Sequence, residues 1–202
     1  MTNGSPTRGT SIAVYIGLGS NLGDREANLH EAIKRIEALG LNIGKASSIY
    51  ETEPVGFKGQ PWFLNQVVEA EAVDELTSPA GPIVTDADVM ATIQGEAFLS
   101  ELLMIEEGMG RERRVVNGPR LIDIDLLLFG DMVIAHSKAN QEWPFIDRND
   151  LIVPHPRMHQ RRFVLEPLCE IAPELVHPVL GTTLRELLAK LDDDSRVRPY
   201  PR

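Results

Sequence analysis

The first part of the chain changes from a strand-like to a helix-like pattern of apolar residues. "IAVYIGL" (12–18) is rich in β-branched and aromatic residues, which is typical of a strand buried on both faces. The turn-forming stretch "GSNLGD" follows, and Asp24 at its end is placed to cap a helix whose apolar residues recur with the 3.6-residue period. Gly40 ends this predicted helix.

The middle of the chain predicts two strands, a long helix and a further strand. The strands are predicted over 43–52 and 62–73, and the Gly- and Pro-rich loop "EPVGFKGQP" separates them. The helix is predicted from Thr85 or Asp86 to about Glu107. A basic loop, "GMGRERRVVNGPR", then leads into the largely apolar strand of "GPRLIDIDLLLFG".

The order of these elements predicts a fold class. A short helix or turn in "LEPLCEIAPEL" and an amphipathic helix over 182–191 complete the pattern. Strand, helix, strand, strand, helix, strand is the split βαβ arrangement of an α+β, ferredoxin-like βαββαβ core, here with a C-terminal extension. We expect a flexible tail over 1–11, a single domain over 12–191 and a polar tail over 192–202.

Composition and charge narrow the class of protein. The 202 residues are 43% hydrophobic and 25% charged, which is enough apolar mass for a core. The net charge of −10 argues against nonspecific nucleic-acid binding. Cys169 is the only cysteine, so no intramolecular disulfide can form. No apolar run reaches the ~18 residues of a membrane span. We therefore expect a cytoplasmic protein that binds neither nucleic acid nor membrane. We also expect a monomer, although nothing in the composition indicates the oligomeric state.

Two aspartates interrupt the strand of "GPRLIDIDLLLFG". Asp123 and Asp125 are two residues apart, so they point to the same face while Ile122, Ile124 and Leu126 point to the other. We expect the apolar face alone to be buried. Two carboxylates this close repel each other unless a cation lies between them, and oxygen ligands on a rigid element suit Mg²⁺. A solvent-exposed pair on an edge strand is the alternative.

Basic residues cluster in sequence on both sides of this pair. In a protein of net charge −10, such clustering is unexpected for a plain solvated surface. Guanidinium groups match phosphate oxygens, so the combination suits phosphoryl-type transfer, although a charged loop with surface salt bridges is an alternative. No P-loop motif is present, and "GLGSNLGD" lacks the dinucleotide-binding spacing. The basic residues are Arg111, Arg113, Arg114, Arg120, His155, Arg157, His159, Arg161 and Arg162.

Several longer motifs occur together in one order. They are "YIGLGSNLGDR", "SSIYETEPVG", "QPWFLNQVV", "GRERRVVNGPRLIDIDLLLFG" and "LIVPHPRMHQRRFVLEPLCEIAPEL". Over residues 14–188 the chain resembles the 6-hydroxymethyl-7,8-dihydropterin pyrophosphokinase family of folate biosynthesis. The resemblance implies transfer of the β,γ-diphosphate of ATP to the pterin hydroxymethyl group, with release of AMP. Spacing alone does not separate phosphoryl from diphosphoryl transfer.

The resemblance implies roles on the phosphate side of a site. Asp123 and Asp125 would bind two Mg²⁺ ions that bridge the ATP phosphates and the substrate hydroxyl. Arg111 and Arg120 would contact phosphates, and Arg113 would lie on a loop, 108–118, that closes over the site. Further nucleotide contacts are implied for Glu106, His155 and Arg161.

The resemblance also implies a pterin site. Phe63 and Phe163 would stack on the two faces of the flat ring, although core packing is the ordinary role of such residues. Asn65 would hydrogen-bond the amide edge of the ring, and Thr52 and Val55 would offer backbone groups from their loop.

The sequence departs from the family pattern at three places, and two other functions fit parts of it. Asn117 and Pro156 stand where some family members carry Trp and Tyr, and the stretch over 73–95 is longer than in compact members. Another Mg²⁺-dependent nucleotide transferase would share the acidic pair and the arginines. A non-catalytic ferredoxin-like binding module would explain the fold but not the convergence of carboxylates and arginines.

Overall fold

Helices and strands follow the order that the apolar pattern predicts. The computed structural model describes residues 12–72, 87–111, 118–136 and 151–201. The described strands are β1 (Ile12–Ser20), β2 (Asn42–Ala46), β3 (Tyr50–Thr52), β4 (Phe63–Ala72), β5 (Asp123–Phe129), β6 (Ile134–His136), β7 (Leu151–Val153) and β8 (Val197–Pro199). The described helices are α1 (Arg25–Ala38), α2 (Ala87–Gly108), α3 (Arg162–Ile171) and α4 (Leu184–Lys190), with a single 3-10 turn at Met158–Gln160.

One antiparallel sheet organises the molecule. Its strand order is β5-β1-β4-β3-β8, and β2 also pairs with β4. Strands β6 and β7 form a separate two-stranded sheet. Because α1 connects β1 to β2 and α2 lies between β4 and β5, the order and connections are those of the predicted ferredoxin-like fold.

Side chains cap the first and last helices. The Asp24 carboxylate accepts the Ala27 N–H at 3.1 Å, which confirms the predicted start of α1, and Gly40 follows the helix at a φ of +89°. At α4, Thr183 and Glu186 form a reciprocal capping box. The residues predicted to cap α2, Thr85 and Asp86, lie outside the described residues.

The strand predicted over 43–52 is interrupted by a serine. Ser47 N–H donates to the Val67 carbonyl at 2.9 Å, but its hydroxyl accepts the Val67 N–H at 3.0 Å in place of a backbone carbonyl. The Gln66 amide also donates to the Ser47 carbonyl at 2.8 Å. Between β2 and β3, side-chain hydrogen bonds thus replace part of the backbone pairing with β4. The segment therefore forms two strands instead of one.

Both faces of the sheet are buried, which corrects the expectation that only one face of β5 is. Helices α1 and α2 cover one face, where Leu29, Leu102 and Ile124 belong to one core cluster. Helices α3 and α4 cover the other face, where Leu127 packs in a second cluster with Leu165. Leu127 is on the same side of β5 as the two aspartates, so the aspartates lie where the second core ends.

Part of the segment predicted as a polar tail over 192–202 forms a strand of the main sheet. Strand β8 pairs with β3 in register, with Glu51 opposite Arg198. The Arg198 guanidinium lies 2.6 Å from the Glu51 carboxylate, and the Tyr200 ring packs against the first core cluster. The charged side chains of this segment therefore form ion pairs with residues of β3 and of the loop after it, in addition to contacting solvent.

Within the described part of the chain, every helix is too short or too polar to cross a membrane.

Candidate active site

A cavity of about 760 Å³ opens over the face of the sheet that carries Asp123 and Asp125. Strands β1, β3, β4 and β5 contribute to its walls, together with the end of α2 and the start of α3. Arg113 lies outside the described residues, as does most of the loop expected to close over the site. The other predicted site residues all line the cavity: Thr52, Val55, Phe63, Asn65, Glu106, Arg111, Arg120, Asp123, Asp125, His155, Arg161 and Phe163.

Two glycines of β1 make room for this cavity. Gly19 is in register with Asn65 on one side and Asp123 on the other, and Gly17 is in register with Asp125. A Cβ atom on Gly19 would lie 2.8 Å from the Asn65 Oδ1, closer than real Cβ atoms approach another heavy atom. Neither glycine is among the site residues predicted from the sequence. The signal was present, because in a strand the two glycines of "GLGS" fall on the same face.

Two arginines bracket Asp123. The Arg111 Nη2 lies 2.8 Å from one carboxylate oxygen and the Arg120 Nη1 lies 2.9 Å from the other. The backbone N–H of Arg120 donates to the Asn21 side chain at 2.8 Å, which fixes the segment just before β5. The Arg120 Nε is buried and has no hydrogen-bond partner among the described residues. An anion bound against Arg120 would supply the missing acceptor.

Glu106 ties the end of α2 to the acidic strand. It is only 1% exposed, accepts the Ile124 N–H at 2.6 Å and pairs with Arg111. Burial raises its pKa, and Arg111 opposes that shift. Through these two contacts, Glu106 holds the Arg111 side chain and β5 in place.

Asp125 is buried in the cavity beside the charge of Asp123. Burial, and then the charge of Asp123, raise the pKa of its carboxyl to about 7. A divalent cation between the two carboxylates would offset both effects. No cluster of three or more acidic, His or Cys ligands occurs among the described residues. The pair nevertheless fits Mg²⁺, which usually takes one or two carboxylates and completes its shell with water and phosphate oxygens.

His155 and Arg161 stand on the segment between β7 and α3. Burial, and then Arg161 and Arg157, lower the pKa of His155 to about 4, so its ring is neutral at neutral pH. Its Nδ1 accepts the Arg157 N–H at 3.2 Å, which leaves Nε2 to carry the proton. The cavity wall here offers a neutral N–H donor beside a guanidinium. Pro156 is exposed on this wall, and Asn117 lies outside the described residues.

Each predicted stacking ring is covered by an arginine. The Arg120 guanidinium carbon is 5.4 Å from the centroid of Phe63, and that of Arg161 is 5.4 Å from the centroid of Phe163. Both residues line the cavity, and Phe163 also packs against the second core cluster. Aromatic rings and guanidinium groups thus line the same cavity, which suits a ligand that has both a flat ring and phosphates.

Asn65 and Thr52 form a buried polar pair on neighbouring strands. The Asn65 Nδ2 donates to the Thr52 Oγ1 at 2.6 Å, which leaves the Asn65 Oδ1 as an acceptor beside Gly19. Thr52 is the last residue of β3, so it is not part of the following loop as expected. Val55 is on that loop and is 50% exposed at the edge of the cavity.

Comparison with known proteins identifies relatives over most of the chain. The model of the 7,8-dihydro-6-hydroxymethylpterin-pyrophosphokinase family matches residues 15–80 and 83–173. The chain is 37% identical over 179 residues to a 2-amino-4-hydroxy-6-hydroxymethyldihydropteridine pyrophosphokinase of Methylorubrum extorquens, covering 88% of this chain and 92% of that protein. The enzyme of the same name from Bacillus subtilis is 38% identical, covering 80% and 78%.

Some relatives are much longer than this chain. It is 36% identical to the folic acid synthesis protein fol1 of Pneumocystis carinii, but it spans only 20% of that protein. Among solved structures, an HPPK-DHPS triple mutant of Plasmodium falciparum superposes with a TM-score of 0.65 at 20% identity, over 92% of this chain and 45% of that one, which supports the fold alone. The sequence matches, the fold and the cavity together place this chain in the 7,8-dihydro-6-hydroxymethylpterin-pyrophosphokinase family.

Proposed function

We propose that this cavity transfers diphosphate from ATP to 6-hydroxymethyl-7,8-dihydropterin, giving AMP and the pterin diphosphate in folate biosynthesis. The observation that carries the proposal is the meeting of an acidic pair, two arginines paired with it and two aromatic rings in one cavity. Family membership supplies the identity of the group transferred.

The phosphate half of the proposed site is built around β5. Asp123 and Asp125 would hold two Mg²⁺ ions, and bound Mg²⁺ would neutralise phosphate charge and align the reacting oxygens. Arg111 is held by its ion pairs with Glu106 and Asp123, so it can meet phosphate oxygens with little loss of side-chain freedom. Arg120 would turn from Phe63 toward the phosphates when the pterin binds. Its Nε would donate to them.

Residues from three other segments complete the nucleotide contacts. The neutral His155 would donate its Nε2–H to a phosphate or ribose oxygen, and Arg161 would add a positive charge beside it. Arg113 would contribute from the loop. Glu106 would act by holding Arg111 and the Ile124 backbone in place.

The pterin half of the proposed site lies over β4 and the start of α3. Phe63 and Phe163 would stack on the ring, replacing the arginines that now cover them. The Asn65 Oδ1 would accept an N–H from the amide edge of the pterin, since its Nδ2 is held by Thr52. Val55 would pack at the edge and offer its backbone.

The proposed reaction is a single displacement at phosphorus. The pterin hydroxyl oxygen bonds to the β-phosphorus, the bond from that phosphorus to the α,β-bridging oxygen breaks, and AMP leaves with the electron pair. The hydroxyl proton is released to solvent. The protein contributes alignment of the two substrates and fixed positive charge around the phosphates.

Product analysis tests this function directly. The protein is incubated with Mg²⁺, ATP and hydroxymethyl-dihydropterin, and the nucleotides are separated chromatographically. AMP and pterin diphosphate in equal amounts are expected. ADP would indicate a different Mg²⁺-dependent transferase, and binding of the pterin without turnover would indicate a non-catalytic binding module.

We also propose a monomer located in the cytoplasm. The described residues that line the cavity all come from one chain, which supports a site that a single copy builds. Sedimentation equilibrium at working concentration is expected to give a mass near the 22.4 kDa of one chain. Cell fractionation would test the location.

A further inference from the structure

The segment 193–200, here named the C-terminal strap, contacts two walls of the cavity that are distant in sequence. One wall is the start of α3, which carries Phe163, and the other is the end of β3, which carries Thr52. The family model matches residues only as far as 173, so the strap lies beyond the matched region. Its contacts are therefore not explained by the family match.

The first anchor of the strap is at the N-terminus of α3. Arg161 occupies the N-cap position but makes no side-chain capping hydrogen bond. Instead, the Arg162 N–H donates to the Asp193 Oδ2 at 2.7 Å, across 31 residues of sequence. The Arg162 Nε also donates to the Asp193 carbonyl at 2.7 Å. Asp193 thus supplies the cap that the local sequence lacks.

Asp193 is itself held in position. Its Oδ1 accepts the Ser195 N–H at 2.9 Å, so both carboxylate oxygens are used. Burial raises its pKa, but the hydrogen bonds from Arg162 and Ser195 outweigh this effect and hold the pKa below its usual range. The carboxylate therefore stays charged, as a helix cap at neutral pH requires.

The second anchor is β8. The Glu53 N–H donates to the Arg196 carbonyl at 2.9 Å, and Val197 is in register with Thr52. The guanidinium carbons of Arg196 and Arg198 lie 4.8 Å and 5.2 Å from the centroid of Trp62. Two of the residues held in this way, Thr52 and Glu53, line the cavity.

The two anchors are only three residues apart. Three extended residues span at most about 11 Å, so the α3 N-terminus and the end of β3 cannot separate further while Asp193 and Arg196 are both bound. The strap therefore limits the width between the Phe163 wall and the Thr52 wall.

We propose that the strap positions the two walls of the pterin site, with Asp193 as a positioning residue for Phe163. This inference rests on the proposed function, since it concerns the same cavity. Loss of the Asp193 cap would let the first turn of α3 fray and would loosen the stacking wall. The groups of β5 that would bind phosphates would stay in place.

Steady-state kinetics of Asp193→Ala test the proposal, with Asp194→Ala as the control. Asp194 is an exposed neighbour, so its replacement makes the same change in charge and size without touching α3. We expect Asp193→Ala to raise the KM for the pterin about fivefold or more, with a smaller rise in the KM for ATP because Arg161 precedes the same turn of α3, and with kcat within about twofold. Asp193→Asn retains a side-chain carbonyl that can cap the helix, so it is expected to recover part of the loss.

A variant at the other anchor keeps the proposal testable if Asp193→Ala fails to fold. Arg198→Gln removes the ion pair with Glu51 and the contact with Trp62. The chain has two tryptophans, so Trp143→Phe leaves Trp62 as the one source of tryptophan fluorescence. In that background, Arg198→Gln is expected to change the Trp62 fluorescence and to raise the KM for the pterin. The proposal is overturned if Asp193→Ala, or Arg198→Gln in its place, matches the wild type in pterin KM. A fall in kcat with both KM values unchanged also overturns it.

Failure of the proposed function would look different. In that case the wild-type protein would release no AMP, and calorimetric titration with the pterin in the presence of a non-hydrolysable ATP analogue would replace the kinetics. Weaker pterin binding by Asp193→Ala than by Asp194→Ala would still support the strap. Equal binding by the two variants would exclude it.

Discussion

At the scale of single residues, the cavity depends as much on glycines, which have no side chain, as on the polar side chains around it. Gly17 and Gly19 leave the space above β1 empty, and the side chains of Asn65 and Asp123 point into it from the neighbouring strands. Residue spacing identified the aspartates because two charges in an apolar strand are conspicuous. It did not identify the glycines, because their role follows from which strands lie on either side.

Gly19→Ala is expected to weaken pterin binding more than it weakens the fold. The new Cβ would lie 2.8 Å from the Asn65 Oδ1, which must then move from its position as acceptor. A rise of about tenfold in the KM for the pterin is expected, the loss of about one hydrogen bond. The control is Gly44→Ala, where the nearest atom lies at an ordinary 3.6 Å. Equal kinetics for the two variants would contradict this assignment of Gly19.

Asp125→Asn is expected to abolish turnover while raising stability without metal. The pKa of Asp125 is about 7 in the folded protein against 3.8 for the free group, so the folded state binds the extra proton between these values. Wild-type stability therefore falls as the pH rises through this window. Removing the charge relieves as much as about 4 kcal/mol at pH 8, at about 1.4 kcal/mol for each pKa unit.

Thermal melts in EDTA check this prediction across the pH range. The variant is expected to melt above the wild type at pH 8, and the difference is expected to vanish near pH 4. Asp131→Asn provides an exposed control in the turn after β5. An Asp125→Asn protein that melts below the wild type at pH 8 would show that the carboxylate has a stabilising role.

At the scale of elements, the local patterns predicted α1, α2, β1, β4 and β5, together with the helices that the structure has as α3 and α4. Interactions distant in sequence decided the break between β2 and β3 and the pairing of β8. Ser47 breaks one predicted strand into β2 and β3 because its hydroxyl bonds Val67, 20 residues away. The polar end of the chain becomes β8 because Arg198 meets Glu51, 147 residues away. The periodicity of apolar residues carries no information about either of these partners. For the same reason, it predicted one buried face for β5, although α3 and α4 cover the other.

Ser47→Ala tests whether this serine maintains the break between β2 and β3. The change leaves the Val67 N–H buried without its acceptor, so the free energy of unfolding is expected to fall by about 1–3 kcal/mol. Ser48→Ala is the matched control, because the Ser48 hydroxyl bonds Glu170 on the surface and is expected to contribute less. Urea denaturation measures both. A smaller loss for Ser47→Ala than for Ser48→Ala would contradict the explanation.

At the scale of the whole molecule, one antiparallel sheet separates two cores. β1 is an interior strand of this sheet: it pairs with β4 and β5, and Val14 and Ile16 are fully buried. The active-site aspartates, the glycines and Asn65 all belong to β1 or to the strands beside it. The site is thus built on the part of the protein that is expected to open last.

Amide hydrogen exchange is expected to follow this order. The amides of β1 should exchange most slowly, with rates close to those of global unfolding, because both of its edges are paired. The amides of β6 and β7, which form only a two-stranded sheet, should exchange earlier. Mass spectrometry of exchanged peptides measures both. Protection of β7 that outlasts protection of β1 would contradict the view of β1 as the most stable strand.

The position of β8 has a consequence for association between copies of the protein. The outermost strand of a sheet offers unpaired backbone groups to which another chain can add. Among the described strands, β8 is the outermost one on this side of the sheet, and its Pro199 has no N–H. The positive charges of Arg196 and Arg198 precede Pro199, and a second proline follows at Pro201. The segment that closes the sheet thus also makes its edge a poor template for intermolecular strand addition, and it protects the molecule from edge-to-edge aggregation.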